Sequence, residues 1–430
     1  MIHYMTSNGI GNAWVANELH ALQEGGVPFR LHSMRPAGST YHLSEWARTI
    51  ERETNVLYPL SVVDVVKASI LSPIVFGRRF WRALMNAFFG ERESFRGRLA
   101  AMFHLLVASV WALGLRNEEV SHIHSQWIHS GGTIAMYGAW LLGRPFSFTG
   151  HATDLFRDRV ALKDKIRRAE FIVCISEFHR AFFLNEGARP EQLHIVYCGI
   201  DPTLFTMRKL REREEGEKVE ILSTGRLVEK KGFSDLIRAC AVLRDRGFSF
   251  HCTIGGSGEL EKVLREEIRR LGLDEWVSLT GESLKQEKIP EFMADGDVYC
   301  LPCVWASDND VDGLPQMLME AMACGVPAIS TRLVGIPDLV IDGETGLLVE
   351  PGDPEEIADA IEKMMGDREM SEKMRVNGRN LIEERFNLRT CLEPLIGLYR
   401  QQLERAGYEV GENATNQDSM IRKSSTTHAA

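Results

Sequence analysis

Several signatures are missing from this 430-residue chain, and each absence removes a class of function. There is no G-x-x-x-x-G-K-[ST], so nothing points to a P-loop nucleotidase. The glycine run TIGGSGEL (253–260) fails the dinucleotide fingerprint, because Glu261 stands where the third glycine belongs. That argues against a nicotinamide dehydrogenase. Eight cysteines show no framework spacing, which fits a reducing, cytoplasmic setting. Cys300 and Cys303 make a lone CxxC inside the apolar VYCLPC, and no second pair completes a zinc site, so no metal is expected. Basic residues are not in excess: the net charge is −10, which disfavours nucleic acid as a partner. The opening Met1-Ile-His-Tyr has no basic region and no long apolar core, so no secretory signal is expected.

What is present is alternation. Ile2–Thr6, the turn SNGIGN (7–12), a helical pattern from Trp14 to Gln23 and then Phe29–Ser33 open a βαβ series. Further strands are expected near Ser121–His124, Phe146–Thr149, Phe171–Ile175 and Leu193–Tyr197. The charged stretch TMRKLREREEGEK (206–218) reads as a linker. A second series comes after it: VEILST, FHCTIG, WVSLTG, VYCLPC, PAIST and GLLVE, with helical patterns between. This is an α/β chain of two Rossmann-like domains with parallel sheets, and ligand is expected in a cleft at the carboxyl ends of the strands. The first domain spans 1–205 and is completed by a helix at about 386–408; the second spans 206–385. The polar tail 411–430 is expected to lack order.

Residues 76–98 hold six arginines and two glutamates, with Phe76, Phe80, Trp81, Phe88 and Phe89 interleaved. Such a segment either adsorbs to an anionic membrane face or buries its aromatics in the core with the arginines solvated. The most apolar run, Leu99–Leu115, is marginal for spanning a bilayer and reads as a buried or interfacial helix.

The chemistry concentrates in DGLPQMLMEAMACGVPAIST (312–331). Pro315 suits a helix start and Gly325 its end, yet Glu320 sits mid-helix among apolar residues. A buried carboxylate needs a partner, either a protein group or a ligand hydroxyl pair. Asp312 precedes the helix, whose N-terminus offers free N–H groups and a positive dipole end. That layout matches a nucleotide sugar, with a diphosphate between hexose and ribose. In STGRLVEKKGFSDLI, Arg226 follows a strand and Lys231 precedes a helix, so both can reach the ligand edge, while Lys230 reads as solvated. Gly256 permits close backbone approach to a phosphate or ribose. Gly11 can bring loop amides near the phosphates or an acceptor, or simply close a βα turn. In SFTGHATDLF (147–156), His151 and Asp154 stand just past a strand.

These motifs, with IVYCGIDPTLF and GIPDLVIDGETGLLVEPGDPEEIADAI, resemble the family-4 retaining glycosyltransferases of GT-B fold. The likeness covers roughly residues 120–385. The pieces WVANELHAL, SFTGHATDLF and DNDVDGLPQMLMEAMACGVPAISTRLVGIPDL are most similar to the branch that builds bacterial exopolysaccharides of the colanic-acid type. The resemblance implies a metal-independent, retaining transfer of a hexose from a UDP- or GDP-linked donor to a glycan or lipid-linked acceptor, with no further cofactor. It implies that Glu320 binds the ribose hydroxyls, and that Asp312 touches the donor sugar with the Gly313 and Leu314 amides nearby. The phosphates would sit at the helix end with Pro315, clamped by Arg226 and Lys231. His151 would lie against the donor sugar, and Gly281–Leu284, with Glu282, near the base. The family carries Glu where Asp312 stands, so this side chain is one methylene short. The other readings are a nucleotide-sugar-binding protein with lost or partner-dependent catalysis, and a GT-B epimerase.

Overall fold

The computed structural model describes residues 1–37, 44–151, 155, 159–210, 214, 216–409 and 421–422. Asp154 and residues 211–213 and 215 of the charged stretch lie outside the described residues, as does most of the 411–430 tail. Of that tail, Ile421–Arg422 pairs antiparallel with Tyr408–Glu409.

The chain divides into two compact units. The first contains Met1–Ile175, His179–Val196 and the chain from Leu392 on. Its seven strands are β1 (Ile2–Thr6), β2 (Phe29–Ser33), β3 (Asn55–Val56), β4 (His122–Ser125), β5 (Phe146–Gly150), β6 (Ala169–Cys174) and β7 (Leu193–Ile195). They lie in the order β3-β2-β1-β4-β5-β6-β7, all parallel. The inner strands are buried because helices cover both faces of such a sheet, and β4 (HIHS) meets that burial by bonding His122 and His124 to Ser147. Strand β1 is buried at every position.

Five helices of this unit bear on function: α1 (Ala13–Glu24), α2 (Val62–Val75), α3 (Arg78–Phe89), α4 (Phe95–Leu115) and α5 (Ser130–Leu142). Ser94 starts α4 by accepting from the Gly97 N–H at 3.0 Å. The second half of α4 is core, with Leu105, Trp111 and Leu115 buried against α5. The aromatics of 76–98 do not go the same way: Phe76 and Phe80 pack on the core, whereas Trp81, Phe88 and Phe89 are exposed. Their arginines also divide. Arg92 is a core ion pair with Asp164 at 2.7 Å and bonds Tyr137.

The second unit contains Ser176–Phe178 and Tyr197–Cys391. Residues 197–205 belong with it because Arg379 donates to the carbonyls of Pro202 and Phe205. Its strands are β8 (Val219–Thr224), β9 (Phe250–Gly255), β10 (Val277–Leu279), β11 (Val298–Leu301), β12 (Ala328–Thr331) and β13 (Gly346–Val349). The order is β10-β9-β8-β11-β12-β13, again all parallel. Helix α6 (Gln316–Ala323) comes after β11. All eight cysteines are free, and Cys300 and Cys303 are buried.

The last helix, α7 (Leu388–Arg405), packs its later part in the first unit. There Tyr399 is buried among His122, His124 and Phe171, and Arg400 donates to the Gly25 carbonyl at 2.9 Å.

Candidate functional site

Each sheet winds outward one way from its first strand, then returns and winds the other way. The reversal lies between β8 and β11 in the second unit, and between β1 and β4 in the first. Loops diverge at such a point and leave room for a ligand at the carboxyl ends.

In the second unit the loop after β8 carries Arg226, Lys230 and Lys231. A single turn, Glu229–Lys231, ends at Gly232 in a left-handed conformation (φ 68°). A Cβ on Gly232 would run into the Pro302 carbonyl, so only glycine lets this turn seat against the loop after β11. That seating carries the two lysines to Asp312. Lys231 Nζ lies 2.6 Å from Asp312 Oδ2, and Lys230 Nζ lies 3.1 Å from Asp312 Oδ1. Lys230 also reaches Asp310 at 3.1 Å. Lys230 is therefore not the solvated charge its sequence context implies. It is buried and shared between two carboxylates, because the Gly232 turn directs it inward.

The charges of this cluster hold one another. Burial alone would raise the Asp312 carboxyl, but Lys231 and Lys230 outweigh it and hold it well below the usual carboxylate range. Burial alone would lower the Lys231 ammonium, but Asp312 outweighs it and holds it above its ordinary value. Cys303 Sγ lies 3.9 Å from Asp312, and its thiol is pushed up by burial and by that carboxylate. Arg226 is exposed near the two lysines and makes no ion pair among the described residues.

Helix α6 begins at Gln316, with Pro315 as its N-cap rather than inside its first turn. The Pro315 carbonyl accepts from Leu318 at 3.2 Å, and the Gly313 carbonyl accepts from Gly335 at 3.0 Å. The N–H groups of Leu314, Gln316 and Met317 have no acceptor among the described residues. Free N–H groups at a helix start are donors that an anion could take. Five residues on, about 7.5 Å along at ~1.5 Å per residue, stands Glu320, fully buried. Gln286 donates to its Oε1 at 2.7 Å, while Oε2 has no hydrogen-bond partner among the described residues. Burial pushes its carboxyl up to about 7, against the pull of Gln286 and Lys231. The protein thus supplies half of the partner set that a buried carboxylate needs. A ligand hydroxyl pair would supply the rest.

Gly256, after β9, holds φ 152°, and a Cβ there would strike the Gly225 carbonyl. The loops after β8 and β9 are laced together by Gly225 N–H to Gly255 O at 3.0 Å and Leu227 N–H to Ser257 O at 2.9 Å. Glu282 is exposed in the loop after β10, its N–H donating to Thr280 Oγ1 at 3.4 Å.

In the first unit His151 follows β5 and is buried between Trp14 and Trp127, whose rings lie 4.3 and 4.7 Å from its own. Burial lowers the imidazole to about 3, so it is neutral at neutral pH. Gln126 Nε2 lies 3.5 Å from His151 Nε2 and 3.2 Å from Glu18 Oε2. Tyr4 bonds both Glu18 and Gln126, and burial lifts the Glu18 carboxyl to about 7. Sequence reasoning passed over Glu18, Gln126, Trp14 and Trp127. The only signal for them was that Gln126 and Trp127 directly succeed a strand. The Gly11 N–H closes its turn on Asn8 O at 3.1 Å, and the Gly9 N–H donates to Ser33 Oγ at 2.6 Å, so both amides are used within the protein.

Two family models match in succession. Glycosyltransferase Family 4 matches residues 71–204, and Glycosyl transferases group 1 matches residues 207–381. Both models are of glycosyltransferases, and in succession they match most of the chain. Among curated glycosyltransferases it is 32% identical, over 54% of this chain and 57% of that one, to the putative colanic acid biosynthesis glycosyltransferase WcaL of Salmonella typhimurium. It is 34% identical, over 48% and 52%, to the amylovoran biosynthesis glycosyltransferase AmsK of Erwinia amylovora. It thus spans about half the length of the curated relatives it matches. The solved structure of Anabaena HepE with UDP and glucose superposes with a TM-score of 0.67 at 18% identity, covering 93% of this chain and 99% of that one. Sucrose-phosphate synthase of Thermosynechococcus elongatus gives 0.67 at 17%, covering 94% and 100%. These likenesses show the GT-B glycosyltransferase fold.

Proposed function

We propose that this chain transfers a hexose, with retention, from a nucleoside-diphosphate sugar to a hydroxyl of a glycan or lipid-linked acceptor during synthesis of a surface polysaccharide. One observation carries the reading. A pair of buried lysines, a row of acceptor-free N–H groups and a buried carboxylate with one unpartnered oxygen lie in sequence along one edge of the second sheet.

A diphosphate would take the remaining donors of Lys231 and the α6 N–H groups, with exposed Arg226 folding onto it. Lys231 keeps two N–H donors after its bond to Asp312. The ribose hydroxyls would donate to Glu320. As the bond from the anomeric carbon to the phosphate oxygen breaks, negative charge grows on the diphosphate and the fixed ammonium groups stabilise it. The acceptor oxygen bonds to the same face of that carbon, and its proton passes to the departing phosphate oxygen. Fixed ammonium groups supply the neutralisation that a divalent ion supplies elsewhere, so turnover should persist in chelator. The names of WcaL and AmsK support an exopolysaccharide acceptor.

A panel of UDP- and GDP-sugars, scored by slow donor hydrolysis with chelator present, tests the reading. Release of free sugar with the anomeric configuration retained supports it. Tight binding of a donor without release would support a binding protein instead, and inversion would exclude the retaining step.

A further inference from the structure

Helices α2 and α3 are built inside out. Soluble helices bury their large apolar side chains and expose polar ones. Helix α2 buries Ala68 and Ser72, whereas Val62, Val66, Ile70 and Ile74, spaced by four, form an exposed stripe. Ile70 and Ile74 are 60% and 74% exposed. Helix α3 repeats the arrangement: Ala83 and Ala87 face inward, while Trp81, Met85 and Phe89 face outward at the same spacing. The first half of α4 adds Phe95, Leu99 and Phe103, also spaced by four. Helices α2 and α3 pack on α4 and on each other, so the three striped helices form one layer. A contiguous apolar face of this kind marks an interaction site, whereas scattered exposed residues do not.

The charge around the face selects the partner. The chain is acidic overall, yet exposed Lys67, Arg78, Arg82 and Arg96 stand on these same three helices. Of the nearby acids, Asp64 stands exposed in the first turn of α2, Glu91 is paired with Lys163 at 2.6 Å, and Glu93 accepts from the Ala161 and Leu162 amides, so cations outnumber free acids on these helices. Exposed apolar stripes rimmed by free cations and carrying a Trp fit a surface with a greasy interior and anionic head groups. Helix α4 is long and apolar enough to cross a membrane, but its second half is buried in the first unit. The contact is therefore in the plane of the surface.

We propose that the outer faces of α2, α3 and the first half of α4 dock this protein flat on an anionic lipid bilayer. The face extends beyond the basic-aromatic segment 76–98, because the exposed stripe of α2 supplies much of the apolar contact.

The test is co-sedimentation of the full chain with vesicles of phosphatidylglycerol mixed with phosphatidylcholine, and with vesicles of phosphatidylcholine alone. Wild type should partition onto the anionic vesicles about tenfold or more better than onto the neutral ones. The variant Ile70→Gln/Ile74→Gln/Phe89→Gln should lose about tenfold or more of that binding with an unchanged melting temperature, since all three side chains are exposed. The variant Arg78→Glu/Arg82→Glu/Arg96→Glu should lose the preference for anionic vesicles. Wild type remaining in the supernatant would overturn the proposal. So would sedimentation velocity showing a dimer that the glutamine variant dissolves while vesicle binding is unaffected, which would make the face a contact between two copies.

Discussion

The two sheets reverse strand order in the same way, but their reversal points carry opposite chemistry. In the second unit the loops bring Lys230 and Lys231 against Asp310 and Asp312, with Arg226 exposed nearby. In the first unit the corresponding loops bring Trp14, Trp127, neutral His151 and Gln126 together. One is a cradle of fixed charge, suited to stabilising a diphosphate that gains charge. The other is aromatic around a neutral imidazole, suited to sugar rings, which present CH faces and hydroxyls but no charge. The same fold thus divides the labour through the loop residues at the end of each strand, and each half of this comparison can be broken separately.

The largest effect should come from the charged half. Lys231→Ala should lower kcat by about a hundredfold to a thousandfold, the size expected for removing one fixed donor from a developing negative charge. Circular dichroism should show an unchanged fold, because Lys230 still holds Asp312. Near-wild-type turnover in steady-state assays would remove Lys231 from the chemistry.

Next comes the stability of the charged half against pH. Burial places the Glu320 carboxyl at about 7 in the folded protein, against 4.5 for the ordinary group. A folded value above the unfolded one means that the folded state keeps the proton longer. Stability from this group is full below pH 4.5 and falls as pH rises towards 7, by up to about 3 kcal/mol. Denaturant melts of Glu320→Gln should lack this fall. Asp312 acts in the opposite sense. Its depressed carboxyl stabilises the fold above its ordinary value of 3.8 and loses that only in stronger acid, so the two windows do not overlap.

The smallest effect belongs to the aromatic half. His151→Ala should lower turnover by about tenfold, the worth of one hydrogen bond. It should leave the calorimetric affinity for the bare nucleoside diphosphate unchanged, since the groups proposed to hold that nucleotide all lie in the second unit. A matching loss of nucleotide affinity would erase the distinction between the two halves.

Much of the fold and of the charged site is legible in the amino-acid sequence alone. Most strands are short, largely apolar runs bounded by Gly or polar turns, as doubly covered parallel strands tend to be, although β4 (HIHS) is not. Glu320 is legible because a lone carboxylate in an apolar helix demands an explanation. Lys230 is not: adjacent lysines look alike in sequence, and only the left-handed Gly232 turn separates a solvated charge from one shared by Asp310 and Asp312. Gln126 stands 122 residues from Tyr4 and 108 from Glu18, so no local pattern announces their network. The outer stripe of α2 escapes a sequence reading for the opposite reason. Its spacing is ideal for a core helix, and nothing in a periodic pattern says which side of it faces the protein.

The central claim is that Glu320 is held half-satisfied so that ribose hydroxyls can complete it. A thermodynamic cycle tests it directly: calorimetric affinities of a nucleoside diphosphate and its 2′,3′-dideoxy analogue, each measured on wild type and on Glu320→Gln. The account predicts that wild type prefers the ribose form by about tenfold or more, the worth of hydrogen bonds to a charged group, and that the preference disappears in Glu320→Gln. A preference that survives the substitution unchanged would contradict it.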